Sequence, residues 1–147
     1  MQLKSLIGPE TAAPEGSGEI EVAGLTADSR RVAPGFVFAA LAGSRSDGAR
    51  FATDAVARGA IAVLAGTDAD LGPLAVPVLR STEPRRALAL MADRLYARQP
   101  ATILAVTGTS GKTSVAEFTR QILGALGHRA ASLGTIGLVK PDGGVYG

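Results

Sequence analysis

The sequence predicts an α/β fold in two parts. Residues 1–99 are expected to form an α/β domain, and residues 100–147 the first strand–loop–helix–strand unit of a second, parallel-sheet domain. Two patterns predict this class: short, continuously apolar segments typical of strands buried on both faces of a parallel sheet, and segments between them with helical spacing of apolar residues. Gln99-Pro100 follows a long predicted helix and marks the boundary, because the residue before proline disfavours helical backbone.

Composition excludes several classes of protein. The chain is 46% hydrophobic and 19% charged, which is typical of globular domains. Its formal net charge of +2 comes from scattered arginines and is too small to indicate a nucleic-acid partner. The absence of cysteine excludes disulfides, thiolate catalysis and Cys-zinc sites. The first residues lack the apolar core of a signal peptide, and no apolar run approaches the ~20 residues that span a bilayer. We therefore expect a soluble cytoplasmic protein without membrane insertion.

Strands of the first domain are predicted from alternation and from apolar runs. Ile20 and Val22 alternate with acids, which indicates a half-buried strand within residues 19–32. Further strands are predicted at residues 36–41, 61–66 and 76–81.

Helices of the first domain are predicted from spacing and capping. A short helix and a Gly/Pro/Glu linker are expected over residues 1–18, and a helix over residues 51–60. Thr82 can cap a helix that continues to Leu95, with Pro84 in its first turn. Leu88 and Met91 recur at helical spacing with Leu95 and are expected in the core.

The second domain opens with a pattern typical of phosphate binding. Residues 103–106 (ILAV) predict a buried strand, followed by a turn in which Gly108 and Gly111 allow backbone dihedrals closed to other residues. The amides of this turn and of the next helix can point at an anion, Lys112 adds a positive charge, and Thr113 offers a hydroxyl to magnesium. One face of that helix carries four apolar residues, and Gly127 is expected to end it. The set is Val115, Phe118, Ile122 and Leu126.

The spacing departs from the general phosphate-binding loop. The pattern GxxxxGK[ST] requires glycine five residues before Gly111, where this chain has Val106. The observed TGxxGKT argues against a GTPase or an ordinary P-loop kinase.

Three segments resemble the Mur ligase family. TGTSGKTS is similar to its ATP-binding loop, GxTGTNGKT[ST], with Ala105 and Ser110 in place of glycine and asparagine. Residues 25–65 resemble its amino-terminal domain through DSR, PGxxFxAL, DGxxF and GAxAV elements, and residues 133–137 (LGTIG) resemble the MurE type. The MurF type is the alternative within the family.

The resemblance implies an ATP- and Mg²⁺-dependent amide ligase of peptidoglycan precursor synthesis. Such an enzyme adds diaminopimelate or lysine to UDP-N-acetylmuramoyl-L-alanyl-D-glutamate through an acyl phosphate. The family has three domains, so residues 1–99 would be the UDP-substrate-binding domain and residues 100–147 the start of the ATP-binding domain. This chain alone is therefore expected to be inactive. A non-catalytic module that binds a UDP-sugar is the alternative from another class.

The resemblance also implies roles for the residues of the phosphate loop. Backbone amides of four residues would surround the phosphates, namely Gly108, Thr109, Ser110 and Gly111. Lys112 would be the catalytic residue that neutralises the migrating phosphoryl group. Thr113 would hold magnesium, and Ser114 could bond a phosphate oxygen.

The UDP moiety is expected to meet two segments of the first domain. By resemblance, Ala27 and Ser29 contact it, as does a second segment that consists of Ser44, Arg45 and Ser46, with Arg45 facing the diphosphate. The alternatives are a turn in which Asp28 and Ser29 cap local backbone, and a solvated loop charge for Arg45. Asp47-Gly48 is expected to be turn chemistry. His128 and the pairs Arg30-Arg31 and Arg85-Arg86 are expected on the surface.

Overall fold

The computed structural model describes residues 1–43 and 47–146, and the chain divides into two compact units, Met1–Gln99 and Pro100–Gly147. The functions predicted for these units remain predictions, since their boundaries alone say nothing about what they bind.

The first unit is built on a four-stranded parallel sheet, which confirms the α/β class. The strands are Gly24–Thr26 (β1), Phe36–Ala40 (β2), Ala60–Gly66 (β3) and Val78–Ser81 (β4). They lie in the order β1-β2-β3-β4, and Val37 of β2 pairs with Leu25 on one side and Ala62 on the other. The helices are Leu3–Leu6 (α1), Ala52–Ala57 (α2) and Pro84–Leu95 (α3).

The sheet is buried on both faces, which explains why its central strands are apolar without alternation. Side chains of β2 point alternately to opposite faces, so Val37 packs in the cluster that contains α1 and α3 residues, and Phe38 packs in the cluster that contains α2 residues. Met91 is 0% exposed, and Leu88 and Leu95 pack against the same cluster as Val37, as predicted from their spacing.

The amino-terminal segment packs against the core of the first unit through Leu3, Leu6 and Ala13, so the linker predicted within residues 1–18 is wrong. Leu3 and Leu6 are fully buried. Ala12 forms an antiparallel bridge with Arg80, so this segment covers the outer edge of β4. The Arg94 guanidinium donates to the Leu6 carbonyl at 2.7 Å and to the Glu10 carboxylate at 2.8 Å. Two buried leucines and these bonds hold a segment whose Gly and Pro content suggested a linker.

Two predicted strands are shorter in the structure. Within residues 19–32 only Gly24–Thr26 is a strand. The strand predicted at residues 76–81 begins at Val78, because Pro77 has no N–H to donate and contributes only its carbonyl, which accepts from the Val63 N–H at 3.0 Å.

The second unit contains the predicted helix and a small antiparallel sheet. The helix is Lys112–Ala125 (α4), and the strands are Ser132–Gly134 (β5), Gly137–Val139 (β6) and Val145–Tyr146 (β7), in the order β5-β6-β7. Gly127 follows the helix with φ +86°, and the His128 N–H bonds the Leu123 carbonyl, which together end the helix as predicted.

The strand predicted at residues 103–106 is wrong, as is the parallel arrangement around it. In the described part of the second unit these residues pair with no neighbour, and Ile103 is 74% exposed. A strand needs a partner for its backbone N–H and C=O groups, and an apolar sequence does not supply one. LGTIG instead forms the β5–β6 hairpin, and Phe118 on the apolar face of α4 is 61% exposed.

This difference in burial predicts a difference in local stability. Among the described residues of the second unit only Val139 is a buried hydrophobic residue, whereas β3 is fully packed. We expect amides of α4 to exchange with solvent at least about 100-fold faster than amides of β3, because fewer apolar contacts resist local opening. Hydrogen exchange followed by mass spectrometry or NMR measures both in one sample. Equal protection of α4 and β3 would show that burial does not govern local stability here.

Candidate functional site

The carboxyl ends of all four parallel strands meet at one edge of the first unit, and this carboxyl edge is where ligands of open α/β sheets bind. The segments that leave the edge start at Ala27, Leu41, Thr67 and Thr82. Ala27 and Ser29, both predicted to contact a uridine nucleotide, therefore lie at the exit of β1.

Side chains build the turn after β1. The Thr26 hydroxyl accepts from the Asp28 N–H at 3.1 Å, and the Asp28 carboxylate accepts from the Arg30 N–H at 3.0 Å. The Arg30 guanidinium also pairs with both Asp28 carboxylate oxygens, at 2.9 and 2.7 Å. Asp28 is thus the local cap that we held as its alternative role, while Ser29 is half-buried between the pair and Ala27 is exposed.

The Arg30 guanidinium hydrogen-bonded to Asp28 lowers the pKa of that carboxyl to about 2. The Arg30 backbone N–H contributes in the same direction. Asp28 is therefore ionised at any physiological pH.

The segment after β2 is described at both of its ends. The Gly48 N–H donates to the Leu41 carbonyl at 3.0 Å, and Ala42 forms an antiparallel bridge with Asp47. The Asp47 carboxylate accepts from the Ala49 N–H at 3.0 Å, which confirms its expected turn role. Ser44, Arg45 and Ser46, predicted to contact the UDP moiety, lie outside the described residues.

Arginine and serine side chains shape the exits of β3 and β4. Arg80 donates to the carbonyls of Gly66 and Ala69, both at 2.7 Å, and the Ser81 hydroxyl accepts from the Glu83 N–H at 3.1 Å. A cavity of about 320 Å³ opens beside the exit of β2, lined by Leu41, Ala42 and residues 83–86.

In the second unit, the predicted phosphate loop leads directly into α4. Gly111 occupies the N-cap with φ +75°, and Gly108 has φ +149°, both in the region that favours glycine. An α-helix leaves the N–H groups of its first turn without intrahelical acceptors, and glycine offers no side chain to cap them. The structure therefore gathers the predicted loop residues at a helix start with amide donors available to an anion.

The side chains of the first turn are arranged around these amides. The Lys112 ammonium donates to the Gly108 carbonyl and so lies across the loop. Lys112 and Ser114 are exposed, and Thr113 is half-buried beside a narrow cleft lined by Glu117 and residues 132–134. Thr109 and Ser110 are exposed, like both glycines.

A polar cluster one turn further along α4 was missed from the sequence. The Glu117 carboxylate accepts from Arg120, from the Gln121 amide at 3.0 Å and from the Ser132 hydroxyl at 3.1 Å. The Arg120 guanidinium, above all, lowers the pKa of Glu117 to about 2. Helical spacing of three and four residues could have revealed two of these contacts. The link to Ser132 in β5 has no sequence signal.

The side chains that could act as metal ligands bear on the predicted magnesium site. Within residues 1–43 and 47–146, no group of three His, Cys, Asp or Glu side chains could hold a metal ion. Thr113, the predicted magnesium ligand, offers a hydroxyl oxygen, and oxygen is the type of donor atom that this cation prefers. None of the described helices has the length and apolar character needed to cross a membrane.

The family comparison agrees with the resemblance of the motifs. A model described as "Mur ligase family, catalytic domain" matches residues 21–96, which is just over half of the chain. The matched region contains Ala27 and Ser29 but not the phosphate loop.

Relatives cover the whole chain. It is 52% identical over 147 residues to UDP-N-acetylmuramoyl-L-alanyl-D-glutamate–2,6-diaminopimelate ligase of Mesorhizobium japonicum. It is 56% identical over the same length to the protein of that name from Bradyrhizobium diazoefficiens. These alignments cover 100% of this chain and 30% of each relative, so the chain spans less than a third of their length.

Solved structures show the same fold. One of UDP-N-acetylmuramoyl-L-alanyl-D-glutamate–2,6-diaminopimelate ligase overlays with a TM-score of 0.70 at 23% identity, covering 99% of this chain and 31% of that one. MurF from Acinetobacter baumannii overlays with a TM-score of 0.56 at 26% identity, covering 85% and 27%.

The turn after β1 generates a prediction about pH. A carboxyl whose folded pKa lies below its unfolded value of about 3.9 stabilises the fold above that value, and this contribution is lost as pH falls towards 2. Replacing Arg30 with Gln should return the Asp28 midpoint to the ordinary range, because the main donor is gone. Carboxyl resonances of Asp28 followed by NMR from pH 5 to pH 2 measure the midpoint. Arg31→Gln is the matched control and should leave it low. A wild-type midpoint near 4 would contradict the Asp28–Arg30 pairing.

Proposed function

Because the chain belongs to the Mur ligase family, we propose that it provides the uridine-nucleotide site and the phosphate loop of an ATP-dependent amide ligase. The reaction proposed is addition of 2,6-diaminopimelate to UDP-N-acetylmuramoyl-L-alanyl-D-glutamate in peptidoglycan precursor synthesis. The observation that carries this proposal is identity above 50% over all 147 residues with two ligases of that name. Both relatives are named for diaminopimelate, which favours this amino acid over lysine.

The MurF-type ligase is the weaker candidate. Its solved representative overlays less closely and over less of the chain than the diaminopimelate ligase structure. The chain also carries LGTIG at residues 133–137, the segment that resembles the MurE type.

The uridine-nucleotide site is proposed at the carboxyl edge of the first unit. Ala27 and Ser29 leave β1 there, on a turn held rigid by Asp28 and Arg30. Ala27 is an exposed residue and Ser29 is half-buried, so the backbone of the first and the hydroxyl of the second are proposed to meet the polar edge of a uracil or ribose. Ser44, Arg45 and Ser46 would complete the contacts from the exit of β2.

The phosphate loop offers backbone amides, hydroxyls and an ammonium group, which are the types of donor that the triphosphate of ATP accepts from. Residues 108–111 would present amides to the phosphates, with Ser114 bonding a phosphate oxygen, and Thr113 would hold Mg²⁺. The chemistry that the ion would supply when bound is neutralisation of phosphate charge. Lys112 would bind and orient the transferred phosphoryl group from the position it holds across the loop, at the start of α4.

Magnitudes show that this loop needs additional contacts. A helix start contributes at most ~2 kcal/mol to binding an anion. Millimolar affinity already requires about 4 kcal/mol. The loop and Lys112 are therefore proposed to position phosphates whose affinity for the protein depends on further residues, and we expect weak ATP binding and no amide formation by the 147-residue chain.

The uridine-nucleotide site is tested by titration of the 147-residue chain. We expect UDP to bind measurably by calorimetry, and Ser29→Ala to weaken it about fivefold, since one hydrogen bond contributes about 1 kcal/mol. Ser5→Ala, an exposed serine of α1, is the control and should bind like wild type. Absence of UDP binding by the folded wild-type chain would refute the site.

The role of Lys112 is tested in a chimera. Residues 1–147 would replace the matching segment of the Bradyrhizobium diazoefficiens ligase, to which they are 56% identical. Lys112→Ala should lower the rate of phosphate release dependent on both substrates by about 100-fold or more, by analogy with the loss of a preorganised donor to transition-state charge. Lys140→Ala, an exposed lysine of the second unit, is the control. An unchanged rate in Lys112→Ala would exclude its proposed role.

A further inference from the structure

Arg85, near the start of α3, makes a long-range contact that the sequence does not signal. Its guanidinium Nη2 donates to the carbonyl of Ala42 at 2.6 Å, across 43 residues of chain. This bond connects the helix that follows β4 to the segment that leaves β2. The expectation that Arg85 merely lies on a solvated face is therefore incomplete, although its side chain is exposed.

The contacted segment is closed at its base by a hydrogen bond and an antiparallel bridge between described residues. Leu41 and Ala42 leave β2, and Asp47 and Gly48 return beside them through the Gly48–Leu41 hydrogen bond and the Ala42–Asp47 bridge. A Cβ at Gly48 would stand 2.6 Å from the Leu41 nitrogen, so glycine is required for this approach. Arg85 adds a third restraint from outside the segment.

The location makes this restraint relevant to ligand binding. Ala42 lies at the carboxyl edge, beside the exit of β1 that carries Ala27 and Ser29. Leu41 and Ala42 line one cavity together with residues 83–86, and the Arg85 guanidinium connects these two sets of lining residues through the Ala42 carbonyl. An exposed arginine contributes little to global stability. Restraining the base of a binding segment, here Leu41 and Ala42, instead lowers the ordering cost paid when a ligand binds.

We propose that Arg85 is a positioning residue of the uridine-nucleotide site. It acts through the Ala42 carbonyl, fixes the exit of β2 relative to α3, and touches no part of the nucleotide. The inference rests on the proposed function, because it concerns affinity at that same site. Since the effect is on shape and not on charge, it applies equally to uridine and to UDP.

The experiment compares two ligands and four variants of the 147-residue chain by calorimetry. Arg85→Ala should weaken UDP and uridine by the same factor, about fivefold, the size expected for one hydrogen bond. Arg85→Lys and Arg85→Gln keep a donor and should lie between Arg85→Ala and wild type. Arg86→Ala is the matched control, because the Arg86 side chain is 63% exposed and its ion pair among the described residues is with Glu83, at 3.7 Å. It should bind within twofold of wild type, and all melting temperatures should stay within about 2 °C, as expected for surface substitutions.

Three results would overturn the inference. Unchanged affinity in Arg85→Ala would show that the Ala42 bond does not matter for binding. Loss of UDP affinity with retained uridine affinity would show that Arg85 contacts the diphosphate directly. Failure of the folded wild type to bind either ligand would overturn the proposed function and this inference with it, whereas the first two results leave the proposed function standing.

A folding defect in Arg85→Ala does not prevent a decision. Arg85→Lys and Arg85→Gln then carry the test. Each new side chain retains a donor for the Ala42 carbonyl, but lysine is charged and glutamine is neutral. Parallel, modest losses for UDP and uridine in both variants support positioning. A larger loss for UDP than for uridine in the neutral Gln variant alone overturns it.

Discussion

The parallel sheet of the first unit is the constraint on which the rest depends. Parallel pairing of β1 to β4 requires cover on both faces, and α1 and α3 on one face with α2 on the other supply it. The same parallel pairing brings the carboxyl ends of all four strands to one edge of the sheet. Burial of apolar side chains such as Val37 and Phe38 stabilises the sheet. It therefore also determines where the polar segments that leave the strands lie close together.

The second unit illustrates what happens without that constraint. Its helix α4 forms and ends where the sequence indicates, because glycines at both ends and local spacing suffice for a helix. Residues 103–106 do not become a strand, because a strand requires a neighbour, and the described residues of this unit provide none. The contact between α4 and β5 includes a polar one, in which the Glu117 carboxylate accepts a hydrogen bond from the Ser132 hydroxyl.

The sequence therefore predicted those features that depend on residues close together along the chain. The α/β class, the core position of Met91, the capping role of Asp47 and the end of α4 all followed from spacing, burial patterns or turn residues. The packing of residues 1–18 did not, because Leu3 and Leu6 are buried by contacts distant in sequence. Of the proposed site residues, the phosphate loop is contiguous and was visible as a motif. Arg85 and Ala42 meet across 43 residues, and no pattern along the chain predicts that contact.

Two arginines at the carboxyl edge share a mode of action. Arg80 and Arg85 direct their guanidinium groups at backbone carbonyls, those of Gly66, Ala69 and Ala42. Carbonyl dipoles satisfy the donors without cancelling the charge, whereas a carboxylate partner, as Asp28 is for Arg30, would do so. Among the described residues neither Arg80 nor Arg85 has such a carboxylate partner. With their donors satisfied by these carbonyls, the two guanidinium groups hold the exits of β2 and β3 in shape, and such an effect does not distinguish a charged ligand from a neutral one.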